Sequence, residues 1–127
     1  MPGIDDCLSE AMAIAGARGV SLIDWSSGLS LGNVGDSPAG DHEAAAAEAT
    51  DLARAAADSP TFADPDEPRT PLRDILITAT GSYHLLCFVD TVFDSRLLLH
   101  LWLDRADGNL ATARFRLQAL AEELVLG

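Results

Sequence analysis

Hydrophobic positions along the chain follow two patterns, one with the spacing of helices and one with the continuous apolar runs of buried strands. Ile4, Cys7, Ala11 and Ile14 illustrate the first pattern, and residues 96–103 illustrate the second. Together they predict three helices and five strands in the order helix, two strands, helix, three strands, helix. The predicted helices cover residues 4–15, 41–58 and 107–126, and the predicted strands cover residues 20–25, 29–34, 72–80, 83–90 and 96–103.

The connections between these segments predict how the strands pair. Ser26-Ser27-Gly28 is a tight turn between the first two strands, which we therefore expect to form a hairpin. Gly81-Ser82 and a short loop around Phe93-Asp94-Ser95 separate the last three strands. We expect these three strands to form an antiparallel meander, which makes the chain an α+β protein.

Two segments stand out by composition. The second helix is dominated by alanine and follows Asp41, a favourable N-cap residue. Residues 59–71 contain four prolines and few large apolar groups, so we expect an exposed connection there.

Length and charge narrow the class of protein. The 127 residues suit one domain that covers residues 1–127. Eight basic and 20 acidic residues give a net charge of −12, which disfavours nucleic acids and anionic membrane surfaces as partners. All eight basic residues are arginines, and this excludes mechanisms that need a lysine, such as phosphate loops and pyridoxal-phosphate catalysis.

The sequence favours a cytoplasmic protein without a membrane span. Its first residues lack the basic region and the continuous apolar run of a signal peptide. Residues 75–89 form the longest stretch without a charged side chain, and they fall short of the ~20 apolar residues that cross a bilayer.

No pattern provides a catalytic or metal-binding set, so we expect no enzyme activity, no metal and no cofactor. His42 lies in the first turn of the alanine-rich helix, whereas His84 and His100 lie in strands that a meander can bring together. No third ligand accompanies them at a metal-site spacing, and we interpret all three as core or partner-facing histidines. Ser82 lacks the G-x-S-x-G elbow of a nucleophile and is interpreted as a turn residue.

Weaker signals have the same kind of explanation. Cys7 and Cys87 are far apart and are interpreted as buried thiols. The segment Gly32-Asn33-Val34-Gly35 departs from G-x-G-x-x-G and is interpreted as a loop rather than a phosphate cradle. An arginine finger, which stabilises the transition state of phosphoryl transfer in a partner protein, is conceivable at Arg96 or Arg105.

Residues 16–29, GARGVSLIDWSSGL, combine a small-residue turn, a strand that ends in Asp24, a polar turn and Gly28. Together with the order of helices and strands over nearly the whole chain, this segment resembles the Roadblock family, the dynein light-chain relatives of the longin fold. The resemblance implies a five-stranded antiparallel sheet in the order 2-1-5-4-3, with the second helix on one face and the two terminal helices on the other. The alternative is another α+β domain, of profilin-like or GAF-like type.

The resemblance also implies a function. Bacterial members of the Roadblock family are similar to partners and regulators of Ras-like small GTPases, and this predicts a non-catalytic regulatory or scaffold protein. It implies a homodimer in which the third strands pair and the second helices lie side by side. The alternative function is small-molecule sensing, which needs an apolar pocket with a few polar groups. We expect the alanine-rich helix to pack too closely on its sheet to leave such a pocket.

The second helix itself indicates two contacts. On a helical wheel its alanines, Leu52 and Thr50 fill an arc of about 160°, wider than the ~100° stripe that covers one sheet. We therefore expect the flank with Leu52 to lie on the sheet, and the opposite flank to meet the same helix of a second copy. The third strand would otherwise leave an apolar edge unpaired. The predicted homodimer interface consists of Ala46, Ala49, Thr50, Ala53, Ala57, Ile75, Leu76 and Ile77.

Negative charge is concentrated in residues 36–67, which hold nine acidic residues and one basic residue, Arg54. This segment is interpreted as a solvated face, or alternatively as a docking surface for a basic partner.

Overall fold

The computed structural model describes residues 3–62, 66, 72–90 and 96–126, and within these the predicted order of elements is confirmed. The loop around Phe93-Asp94-Ser95 and most of the proline-rich connection lie outside the described residues. The elements are α1 (Ile4–Met12), β1 (Ala17–Asp24), β2 (Leu29–Gly35), α2 (His42–Ala57), a short 3₁₀ helix (Pro60–Phe62), β3 (Asp74–Thr78), β4 (Ser82–Asp90), β5 (Arg96–Asp104) and α3 (Leu110–Leu126).

The five strands form one sheet in the order β2-β1-β5-β4-β3, and every neighbouring pair is antiparallel. This is the order that the Roadblock resemblance implies. The N-terminal hairpin and the C-terminal meander are both present, and β5 joins them because it pairs with β1 on one side and with β4 on the other.

Strand β5 lies at the centre of the sheet and is buried on both faces. Leu99, Leu101 and Leu103 face the layer formed by α1 and α3, and Leu98 faces the α2 layer. All four leucines are 0% exposed. A central strand covered on both sides has few solvent-facing positions, which explains why residues 97–103 lack the alternation of polar and apolar residues.

The terminal helices share one face of the sheet. Leu8 and Ala11 of α1 and Ala113 and Leu117 of α3 belong to one buried cluster with the odd-numbered leucines of β5. Helix α3 begins later than predicted, because the carboxamide of Asn109 accepts a hydrogen bond from the Thr112 amide at 3.0 Å and caps the first turn.

Helix α2 covers the other face alone. The carboxylate of Asp41 accepts a hydrogen bond from the Glu43 amide at 2.9 Å, so the predicted N-cap is confirmed. Ala46, Ala49 and Ala53 form a second buried cluster with sheet residues, among them Leu98.

The β1–β2 turn shows why the quoted Roadblock-like segment has its polar residues. The Asp24 carboxylate accepts hydrogen bonds from the amide and the hydroxyl of Ser26, at 2.9 and 2.6 Å. These bonds, those of the Ser26 hydroxyl first, hold the pKa of Asp24 below its usual value. Gly28 completes the turn with φ of 83°, in the left-handed region that favours glycine.

Gly19 is required by the close approach of two strands, and its replacement tests the fold. A Cβ at Gly19 would lie 1.8 Å from the carbonyl oxygen of Asp36. We therefore expect Gly19→Ala to lower the free energy of unfolding by about 1–3 kcal/mol, because the strands must move apart. Gly81→Ala is the matched control, since a Cβ there meets nothing within 4 Å. Urea denaturation measures both, and equal losses of stability would contradict the steric explanation.

Candidate interaction face

The structure reverses the predicted roles of the two flanks of α2. Ala46 and Ala53 are 1% and 0% exposed because they lie on the protein's own sheet, whereas Leu52 is 38% exposed. The expectation that Leu52 faces the sheet and that Ala46 and Ala53 meet a second copy is therefore wrong. The physical reason is size, since the alanines allow the helix to lie close to the sheet, which a central leucine would hold away.

The other predicted residues of α2 follow the same orientation. Ala49 and Thr50 are buried at 7% and 2% exposure, and Thr50 lies near Gly28 of the β1–β2 turn. Ala57 is half-buried at the end of the helix. The solvent-exposed side of α2 instead carries Glu48 and Asp51 beside Leu52.

Strand β3 is a terminal strand of the sheet, so it pairs with β4 along one edge only. Leu76 and Ile77 are 42% and 37% exposed, while Ile75 is half-buried against the α2 cluster. Within the described residues no strand lies beside the outer edge of β3. The predicted apolar edge is therefore present in the single chain.

An open groove of about 480 Å³ lies beside α2, over the β3–β4 side of the sheet. Its walls include Glu48, Leu52, Ile77, His84, Leu86 and His100. We call it the α2 groove. The expectation that the alanine-rich helix would leave no pocket is wrong, because α2 lies mainly over β1 and β2. Its buried cluster extends to Leu86 and Ile75, but Ile77 of β3 stays 37% exposed.

Two histidines of the α2 groove are bonded to each other. Nδ1 of His84 lies 3.0 Å from Nε2 of His100, and the two rings are tilted by 32° with centroids 5.2 Å apart. The sequence-based expectation that a meander brings these two residues together is thus confirmed. His42 lies apart from the pair, with its ring nitrogens near the Ser21 hydroxyl and the Gly35 carbonyl, at 3.3 and 3.1 Å.

The surroundings of the pair favour the neutral imidazole. Burial, together with repulsion from His84 and His42, lowers the pKa of His100 from 6.5 to about 4. Burial also lowers the pKa of His84. Both rings are therefore uncharged at neutral pH.

The aromatic contacts around this pair were not apparent in the sequence. His84 lies parallel to Trp102, with an interplanar angle of 5° and centroids 6.5 Å apart. The guanidinium of Arg18 lies 4.0 Å from the centre of the Trp102 ring. The two-residue period of a strand places His100 and Trp102 on the same face of β5, so this neighbourhood could be predicted from the sequence. The position of Arg18 could not, because it depends on the register of β1 against β5.

The remaining candidates for chemistry have structural roles. Arg96 lies over the Trp25 ring at 5.2 Å, and Arg105 donates to the Ala79 carbonyl and lies over the Tyr83 ring at 5.4 Å. Ser82 opens β4 directly after a turn. The Gly32–Gly35 segment belongs to β2, so its interpretation as a loop is wrong, and pairing with β1 explains why it is extended.

The two cysteines are buried free thiols, as expected. Burial first, and then a nearby carboxylate, Glu10 for Cys7 and Asp74 for Cys87, raise the pKa of both thiols to about 11. Both thiols are therefore protonated at neutral pH and unsuited to nucleophilic attack.

The part of the chain that the structure describes has neither a metal-binding cluster nor a membrane-spanning helix. No group of three or more histidine, cysteine, aspartate or glutamate side chains is placed to hold a metal ion. None of the described helices has the length and apolarity needed to cross a membrane.

The acidic segment gives the α2 side of the molecule a strongly negative surface. Six of its carboxylate residues lie on this side and are solvent-exposed, namely Asp36, Asp41, Glu43, Glu48, Asp51 and Asp58. The single basic residue, Arg54, donates from its guanidinium to the Ser26 carbonyl. These carboxylates are solvated in the single chain, as interpreted from the sequence.

No protein-family model and no curated protein matches the sequence of this chain. Solved structures do match it. MglB from Myxococcus xanthus has a TM-score of 0.76 at 17% identity, with 94% of this chain and 82% of that chain covered. A Roadblock/LC7 domain from Streptomyces avermitilis has a TM-score of 0.69 at 15% identity, with 95% and 93% covered. The chain has the Roadblock/LC7 fold.

A third Roadblock-like neighbour is the gliding protein MglB from Thermus thermophilus, with a TM-score of 0.66 at 20% identity and 94% and 88% covered. These identities are low, so the likeness is one of fold. The Roadblock/LC7 fold confirms the resemblance drawn from residues 16–29 and from the order of the elements.

The histidine pair predicts that the protein loses stability in acid. The unfolded chain binds protons near pH 6.5, whereas the folded chain resists protonation of His100 down to about pH 4. Stability from this group is therefore complete above pH 6.5 and is lost as the pH falls towards 4. We expect the free energy of unfolding to drop by about 1–2 kcal/mol between pH 7.5 and 5.0.

Urea denaturation of the wild type and of His100→Gln, at fixed protein concentration and several pH values, checks this prediction. The variant should show the smaller drop, because its amide does not titrate. His42→Gln is the control that keeps the pair, and it should retain most of the wild-type pH dependence because burial, the first cause of the His100 shift, is unchanged. An equal drop in the wild type and in His100→Gln would contradict the assignment.

Proposed function

We propose that this protein is a non-catalytic regulatory or scaffold protein for a Ras-like small GTPase, and that it works as a homodimer. The observation that carries the proposal is the incomplete cover of the α2 side of the sheet. The outer edge of β3 and the adjoining α2 groove present apolar side chains to solvent in the single chain. Contiguous apolar surface of this kind is typical of protein interaction sites.

A second copy of the chain satisfies both features at once. Antiparallel pairing of β3 with β3 of the partner subunit about a two-fold axis would supply hydrogen-bond partners for the free strand edge. The same axis would bring the two α2 grooves next to each other, so that each subunit covers Leu52 and Ile77 of the other. A monomer leaves these two side chains 38% and 37% exposed.

The orientation of α2 changes which residues we propose for the interface. Ile75, Leu76 and Ile77 remain proposed as the strand contribution. From α2 we propose the flank with Glu48 and Leu52. The buried residues Ala46, Ala49, Thr50 and Ala53 act indirectly, because they set the height of α2 above the sheet, and half-buried Ala57 lies at the border.

The GTPase partner is supported by the resemblance to the Roadblock family, whose bacterial members include regulators of such GTPases. The acidic α2 side adds a chemical condition. A GTPase that docks there must present arginine or lysine side chains, and its affinity should fall as salt is added. Docking on the face with α1 and α3 would depend less on salt.

The non-catalytic part of the proposal rests on the roles of the reactive side chains. His84 and His100 are bonded to each other, both thiols are protonated, and Arg96 and Arg105 lie on aromatic rings. The two free thiols also suit a reducing compartment, and we place the protein in the cytoplasm.

The alternative function, small-molecule sensing, is favoured by one observation. The α2 groove combines apolar walls from Leu52, Ile77 and Leu86 with two imidazoles. This is the combination of an apolar lining and a few polar groups that a ligand site requires. In the dimer proposed here, the second copy occupies this opening instead.

Replacing apolar residues at the groove tests the dimer. We expect Leu52→Arg and Ile77→Arg each to raise the dimer dissociation constant at least about tenfold, because each buries a charge at an apolar contact. Light scattering after size-exclusion chromatography, over a range of concentrations, measures the constant.

Phe115→Arg is the matched control for these variants. Phe115 is 73% exposed on α3, on the opposite side of the sheet, so its replacement makes the same chemical change away from the proposed interface. A wild-type monomer at micromolar concentration would exclude the homodimer. Equal weakening by Phe115→Arg would place the contact on the wrong face.

Affinity capture from extracts of the cells that make this protein tests the partner. One extract contains GDP and the other contains a non-hydrolysable GTP analogue. We expect mass spectrometry to identify a small GTPase, whose hydrolysis or nucleotide exchange changes when the purified homodimer is added. Binding with unchanged kinetics would support the scaffold role alone. The sensor function should replace the proposal if no GTPase is captured and a small molecule raises the melting temperature by several degrees.

A further inference from the structure

His84 and His100 are the two polar side chains of the sheet that open into the α2 groove. Their ring nitrogens are 3.0 Å apart, so one proton lies between them and at least one ring must accept with an unprotonated nitrogen. A doubly protonated pair cannot keep this contact, because both nitrogens would then carry hydrogen and positive charge.

Basic groups lie near the pair, and no described carboxylate is bonded to it. His42, at the start of α2, adds repulsion to any charge on His100. Arg18 of β1 lies over Trp102, and Trp102 in turn lies parallel to His84. From α2, Glu48 lines the groove, but within the described residues its exposed carboxylate makes no hydrogen bond to either ring. Apart from His84 itself, neither β3 nor β4 adds a titratable side chain to the groove wall in the part of the chain described.

We propose that the His84–His100 pair makes closure of the α2 groove by a second copy dependent on pH, so that acidification releases the two subunits. This inference rests on the homodimer proposed above. In the open groove His84 is half-buried, and water can solvate a charge on its ring. Beneath a second copy that water is displaced, and the charge would be buried without a carboxylate bonded to it.

Linkage fixes the direction of the effect. A ring that binds its proton more weakly in the closed dimer than in the open monomer favours the monomer as the pH falls. Each dimer contains two such pairs, related by the two-fold axis, so the effect is counted twice. Acidification also reduces the net negative charge, which by itself favours association, and the test must separate these two effects.

The test compares the dimer dissociation constants of the wild type and of His84→Asn at pH 7.5, 6.5 and 6.0. Asparagine places an amide near the position of Nδ1 and keeps a hydrogen-bonding group towards His100 without titrating. Sedimentation equilibrium measures the constants, and circular dichroism restricts the comparison to pH values at which the spectrum is that at pH 7.5. We expect the wild-type constant to rise about three- to tenfold relative to the variant between pH 7.5 and 6.0.

His42→Gln is the matched control, because it removes a histidine outside the groove wall and leaves the pair in place, so it should keep most of the wild-type pH dependence. Equal pH dependence in the wild type and in His84→Asn, or tighter association of the wild type in acid relative to the variant, would overturn the inference and leave the homodimer intact. A wild type that is monomeric at pH 7.5 would overturn the homodimer itself, and the inference with it.

Discussion

Strand β5 has to be shielded from water on both of its faces, because leucines alternate to either side of its backbone. One helix layer is therefore not enough, and the chain supplies α1 and α3 to one face and α2 to the other. The two layers are unequal, since two helices cover one face and a single narrow helix covers the other. The α2 groove lies where one narrow alanine-rich helix leaves part of the sheet uncovered.

The order of elements was predictable because each segment has a strong period of its own. Apolar runs bounded by glycine and serine predicted the strands, and Asp41 predicted where α2 begins. The orientation of α2 was not predictable in the same way. On a helical wheel its alanines cover a wide arc, and alanine can pack equally well on a sheet or on a partner helix. The only leucine of the helix was therefore predicted to face the sheet, a position that the alanines occupy instead.

The candidate site was predictable only in part, for a related reason. His84 and His100 were expected to be neighbours because a short meander fixes which strands are adjacent. Their position in an open groove depends on where α2 lies across the sheet, and no local sequence pattern predicts that position. The Arg18–Trp102 contact depends on the register between two strands that are distant in sequence, and such a register is set by the whole sheet.

The position of β5 between β1 and β4 also governs how the protein assembles. When the chain is synthesised, the β1–β2 and β3–β4 hairpins emerge first, and each has an inner edge whose partner does not yet exist. Only β5 can satisfy both edges, and its pairing with β1 closes a long loop of chain. The hairpins are thus halves of one cooperative unit. A cut in the connection between α2 and β3 would give two fragments, neither with a complete core, that can regain the fold only by sharing β5.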